Sequence, residues 1–228
     1  MVRPKATAAL ATALMAVTLL HGPVTAGSIP DPAGDFLSSY TGPLNGDLDI
    51  LAISAVRSDT GVSFSMTVDG TIGSANAVYV WAINRGAGTA RLALASPAIG
   101  TGILYDALFV QFANGDARVV TFPVAGPPSI SLLPGAASIS GGTVSGFAPF
   151  SLLPSTGFDP AAYQYAAWTR QRINPAFDSG NFEVADFAPA NSSFVAGVPE
   201  PAVWAMMIAG FGLVGGIARR RKQGAELA

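Results

Sequence analysis

Val62-Ser63-Phe64-Ser65-Met66-Thr67-Val68 alternates large apolar residues with small hydroxyl ones along seven positions. Successive side chains of a β-strand point to opposite faces, so this period of two predicts a strand with one buried and one wetter face. Asp69-Gly70 ends it as a turn, and Ser58-Asp59-Thr60-Gly61 reads as the hairpin loop from a preceding strand over 48–56. Outward from this hairpin, further strands are predicted over 77–83, 90–95, 104–112, 117–124, 129–133, 143–149, 163–169 and 182–185, with Asn114-Gly115-Asp116 as a second tight hairpin. Strands this short, separated by Gly, Asn, Asp and Pro, predict an all-β fold, an antiparallel sandwich or barrel; an antiparallel β-sandwich of jelly-roll kind is the expectation. Asp159-Pro160-Ala161-Ala162 can cap a helix running to Arg172, but Tyr163, Tyr165 and Trp168 do not share one helical face and favour a strand.

The chain has 228 residues, half of them hydrophobic and 11% charged, and two concentrated apolar blocks lie near its ends. Residues 1–26 read as a signal peptide. Arg3 and Lys5 precede an uncharged stretch over 6–20, and Val24-Thr25-Ala26 places small residues for cleavage after Ala26. The alternative is an N-terminal anchor, for which the stretch is short. At the other end, residues 202–218 carry no charge and are followed directly by Arg219, Arg220, Arg221 and Lys222. Seventeen helical residues span roughly 25 Å, the low end for a bilayer crossing, and the cations act as a stop that stays in the cytoplasm. Residues 223–228 then form a cytoplasmic tail.

Pro199 and Pro201 keep Glu200 in an extended, exposed backbone just before that helix. The run from Val198-Pro199-Glu200-Pro201 through Trp204, followed by the apolar stretch and the basic end, resembles the PEP-CTERM sorting signal over 198–222. The resemblance implies a substrate of exosortase, a membrane cysteine protease-transpeptidase of Gram-negative bacteria that make exopolysaccharide. Val198, Pro199, Glu200, Pro201 and Trp204 are then recognition and processing residues, and the helix holds the precursor at the membrane until the tail is removed. The implied destination is the cell surface or extracellular matrix, with exopolysaccharide as a partner. A rigid linker before a permanent anchor is the other reading of the same residues.

Residues 27–197 hold six arginines, no lysine and twelve acidic groups, a net charge of −6. Such a domain is a poor partner for nucleic acid. With no cysteine in the chain and His21 inside the signal peptide, a zinc site of the usual kind, a Ser-His-Asp triad and a Cys-His pair are all excluded from the mature domain. The expectation is a protein that is not an enzyme and has no cofactor, save a candidate calcium site at Asp31, Asp35, Asp47 and Asp49, the densest acidic group, whose carboxylates a glycine-containing loop can bring together. A less favoured reading as a secreted hydrolase would need a carboxylate pair, and Glu183 is the domain's one glutamate. Tyr79, Trp81, Tyr163, Tyr165 and Trp168 are read as core or sheet-face aromatics, with sugar stacking as the alternative. No fixed-period repeat is visible.

Asp31-Pro32-Ala33-Gly34-Asp35, then Asp47-Leu48-Asp49-Ile50-Leu51-Ala52-Ile53, then the alternating strand at Val62, is similar to the opening of secreted DOMON and family-9 carbohydrate-binding modules, and Asp186-Phe187-Ala188-Pro189 is similar to their closing motif. This resemblance implies a β-sandwich over 27–186 and offers carbohydrate binding as an alternative function. Haem-binding members use Met and His ligands, and this domain has no His. Residues 187–197, rich in Pro, Ala, Ser and Asn, are expected to be a linker to the anchor.

Overall fold

The computed structural model describes residues 28–172 and 180–197. The predicted signal peptide with Ala26, the predicted sorting residues Val198, Pro199, Glu200, Pro201 and Trp204, the apolar stretch and the basic cluster lie outside them. Among the described residues, no helix is long and apolar enough to cross a membrane.

Two antiparallel sheets face each other. The first contains β1 (Ile29–Pro30), β2 (Ile50–Arg57), β3 (Gly61–Val68), β8 (Ala137–Ser140) and β9 (Thr143–Pro149), in the order β1-β2-β3-β9-β8. The second contains β4 (Ala77–Asn84), β5 (Ala107–Phe112), β6 (Ala117–Thr121), β7 (Ser129–Leu133), β10 (Gln164–Gln171) and β11 (Val184–Ala188), in the order β11-β10-β4-β5-β6-β7. A short β12 (Phe194–Val195) pairs with β10 beyond the end of β11. The chain changes sheet after β3, β7 and β9, so each sheet mixes early and late segments. This is the expected all-β sandwich.

The alternation in β3 does what its period requires. Val62, Phe64, Met66 and Val68 are buried, while Ser63 is exposed and Ser65 and Thr67 are half-buried. Phe64 crosses the core to meet Trp81 of β4 at 4.7 Å, Phe109 of β5 at 5.4 Å and Tyr165 of β10 at 5.6 Å between ring centroids. Such offset and edge-on contacts add to the gain from burying each ring. The two hairpins form as predicted, and Gly115 turns the second with φ +91°, a conformation glycine adopts without a Cβ clash.

β4 is buried along its whole length. Its outer residues Val78, Val80 and Ala82 are covered in part by Leu92, Ile103 and Tyr105 from the 85–106 connection, so both faces are apolar. That connection is pinned by a buried ion pair. Arg85 Nε donates to Asp106 Oδ1 at 2.9 Å, and Asp106 also accepts the Arg85 and Ala87 amides and the Thr156 hydroxyl. The strand expected over 90–95 is instead a 3-10 turn (Arg91–Leu94), with Leu92 turned inward and Leu94 left 85% exposed. The ambiguous segment follows the favoured strand reading, and the helix to Arg172 does not form beyond one turn. Asp159 caps one turn (Pro160–Ala162) through the Ala161 amide, and β10 follows. The strand expected over 182–185 starts later, because Asn181–Glu183 is a 3-10 turn leading into β11.

Candidate functional site

Three carboxylates meet where the N-terminal turn lies against β11. Asp31, Asp35 and Asp186 each offer an oxygen, and these oxygens lie within 4.8 Å of one another. The Asp31 amide continues the β1–β2 pairing by donating to the Leu51 carbonyl at 2.9 Å. Gly34, at φ +79°, lets the chain double back so that its amide reaches Asp49 Oδ2 at 2.8 Å. Asp186 is 1% exposed; its Oδ2 accepts the Ile50 amide and its Oδ1 the Phe187 amide, each at 2.7 Å.

Crowding these acids out of water disfavours their charged forms. Burial pushes Asp186 up to about 8, with the Ile50 amide opposing it and Asp31 and Asp35 adding repulsion. Burial, then the charges of Asp35 and Asp49, pushes Asp31 up to about 7. Asp49 is also raised, first by burial, against the opposing Gly34 amide. Two buried oxygens, Asp31 Oδ2 and Asp49 Oδ1, have no hydrogen-bond partner. The set is all oxygen, the donor type a hard cation prefers. A pocket of about 310 Å³ opens beside it, lined by Asp35 and Asp186 together with Leu37, Phe187, Ile99 and Asn191.

Of the other two expected acids, Asp49 stays beside the trio, bonded to Gly34, and the structure does not bring Asp47 into this group. Its Oδ2 accepts the Gly73 and Ser74 amides at 3.0 and 2.7 Å, and its Oδ1 accepts the Ser74 hydroxyl at 2.6 Å. The Tyr79 hydroxyl also reaches it, at 3.4 Å. Asp47 is thus committed to holding the 73–74 loop, and burial together with its charge raises the Tyr79 phenol. Asp186, placed in the sequence only by its closing motif, takes the position expected of Asp47.

The aromatic residues belong to the core. Tyr79, Trp81, Tyr163 and Tyr165 are at most 1% exposed and Trp168 is 3% exposed, which removes them as surface platforms for sugar rings. Glu183 is fully buried and accepts Arg170 Nη2 at 2.7 Å, a structural pairing. Met66 is packed in the core, and residues 28–197 contain no histidine to pair with it, so the described domain does not fit Met–His haem ligation.

The end of the domain is held at both sheets. Asn191 accepts the Gly102 amide at 2.9 Å and donates to the Thr101 hydroxyl at 3.0 Å. Phe194 packs its ring 6.0 Å from that of Tyr165. The chain then reaches the edge of the first sheet, where the Gly197 amide donates to the Ala55 carbonyl at 3.0 Å and the Gly197 carbonyl accepts the Arg57 amide at 2.9 Å. Residues 187–197 are therefore not the expected linker. Their composition lacks alternation, but the edges of both sheets supply backbone partners, and the sandwich continues to Gly197.

Residues 197–222 match the PEP-CTERM protein-sorting motif. The match opens on the glycine clasped by β2 and takes in Pro199, Glu200, Pro201, Trp204 and the four cations Arg219, Arg220, Arg221 and Lys222. No curated protein matches the chain. The PEP-CTERM motif marks the protein as an exosortase-targeted one, exported and directed to the surface or exterior of a Gram-negative cell.

Proposed function

We propose that this is a non-catalytic β-sandwich of the exopolysaccharide matrix, delivered there by exosortase processing of its tail. The PEP-CTERM match at 197–222 is the observation that carries the reading. The signal peptide ends at Ala26, the helix over 202–218 tethers the precursor, and Arg219 to Lys222 hold its end in the cytoplasm. Pro199 and Pro201 present Glu200 in extended form to an enzyme embedded in the same membrane. The described sandwich reaches Gly197, just ahead of Pro199, so a cut at or beyond the motif leaves the described domain in the processed product. The burial of Tyr79, Trp81, Tyr163, Tyr165 and Trp168 takes away the support that aromatics gave to a sugar-stacking module.

The test is fractionation of the native host. The wild-type protein is expected to sediment with the host's own exopolysaccharide, and a chain with Pro199, Glu200 and Pro201 replaced by alanine is expected in the membrane fraction. Identical distribution of the two chains would sink the sorting role. Wild-type protein free of the polysaccharide would sink the matrix association.

A further inference from the structure

We propose that Asp31, Asp35 and Asp186 form a calcium site, with Asp49 supporting it from the neighbouring strand. The inference does not depend on the sorting reading. A calcium ion takes six to eight oxygens at roughly 2.3–2.6 Å, so oxygens on opposite sides of one ion stand about 5 Å apart. The carboxylate oxygens of Asp31, Asp35 and Asp186 lie within 4.8 Å of one another, a spacing that one such sphere accommodates. Magnesium binds at about 2.0–2.1 Å and demands a tighter octahedron that keeps its water. With no sulfur or imidazole in the set, the softer transition metals are disfavoured.

The second observation is the pair of orphan oxygens. Asp49 is 3% exposed, and its Oδ1 is buried without a hydrogen-bond partner. Its Oδ2 is fixed on Gly34, inside the turn that joins Asp31 to Asp35, and the next residue, Ile50, binds Asp186. Asp31 Oδ2, within the trio, is buried and unpartnered as well. A buried polar oxygen left without a donor costs free energy; a cation held by the trio removes that cost at Asp31 and offsets the neighbouring charge of Asp49. Arg85 is paired with Asp106 and Arg170 with Glu183, so these arginines are engaged away from the cluster. Asp186 remains able to ligate, because each of its oxygens accepts one amide and keeps a further lone pair. The adjoining pocket gives the ion a route to solvent and leaves some of its shell to water.

Thermal unfolding of the full-length chain in detergent, with calcium, magnesium or chelator, tests this directly, together with calcium uptake by equilibrium dialysis. One calcium bound per chain is expected, and calcium at about a hundredfold over its Kd should raise the midpoint by about 5–10 °C. Asp35→Asn removes a repulsive charge from an exposed side chain, so this chain should match or exceed the wild-type midpoint in chelator while losing the calcium response. Asp59→Asn, in the distant β2–β3 hairpin, should respond as the wild type does. A wild-type chain that neither retains calcium nor shifts would overturn the site. An Asp35→Asn chain with the full wild-type shift would also overturn it.

Discussion

The Ile50 amide donates to the Asp186 carboxylate over 2.7 Å, linking residues 136 positions apart and tying β2 of one sheet to β11 of the other. The Thr169 hydroxyl bonds the Leu48 carbonyl along the same edge. The edge that closes the sandwich is therefore also the wall of the acidic cluster. Replacing Asp186 by alanine leaves the Ile50 and Phe187 amides without their acceptor. A loss of about 2 kcal/mol is expected in chelator, read by urea unfolding, and a larger one in calcium. Unchanged stability in both conditions would mean that the bond does not hold the edge.

Raised carboxyl pKa values make the calcium-free protein sensitive to alkali. Asp31 at about 7 and Asp186 at about 8 keep protons in the folded state that the unfolded chain releases near 4. Between these limits the native state binds more protons, so stability falls as pH rises. The contribution is fully present below about pH 4 and is lost progressively up to about pH 8. Thermal midpoints in chelator across pH 5 to 9 check this, after allowance for groups that titrate outside the cluster. A contribution from these two acids that grows with pH would contradict the assignment.

Phe64 bridges the sheets through Trp81, Phe109 and Tyr165, and it is 1% exposed. Phe64→Ala should cost about 3–5 kcal/mol in equilibrium unfolding, because the packed rings around it close the cavity incompletely. A loss below about 1 kcal/mol would show that the core repacks.

Asp106 neutralises Arg85 in a site where both side chains are at most 3% exposed. Asp106→Ala leaves that guanidinium buried and unpaired, at an expected cost of about 3–5 kcal/mol. Proteolysis should then cut first in the 85–106 connection that the pair fastens. Cleavage beginning elsewhere would place the weak point in another element.

Residues 190–197 contribute to the sandwich through Phe194 on Tyr165 and the Gly197 bonds to β2. A chain ending at Gly197 is expected to be about 2–4 kcal/mol more stable than one ending at Pro189. Equal stability would return this segment to the role of a linker.

Much of the fold was legible because β3 alternates cleanly and its flanking turns carry Asp-Gly and Thr-Gly pairs. β7 and β9 begin and end where their turn residues place them. The 90–95 error arose from an apolar run whose hydrophobicity serves as a plug: Leu92 points inward to cover β4, and one inward residue suits a 3-10 turn as well as a strand. The 137–140 strand went unseen because Ala137-Ser138-Ile139-Ser140 is small and short, and its pairing with β9 supplies what its composition does not. At the acidic cluster, local spacing suggested Asp31, Asp35 and Asp49 but could not separate Asp47, which turns to Ser74 and Tyr79. Asp186 reaches the cluster through sheet topology, and its only sequence signal was the closing Asp-Phe-Ala-Pro motif.

The most direct test of the central claim is the intact mass of the protein recovered from the surface or medium of its native host. Exosortase processing predicts a chain that begins at Gly27 and ends near Pro199–Pro201, without the apolar segment over 202–218 and the basic cluster, whether or not a further group is attached at the new end. A surface protein that retains residues 202–228 would contradict it.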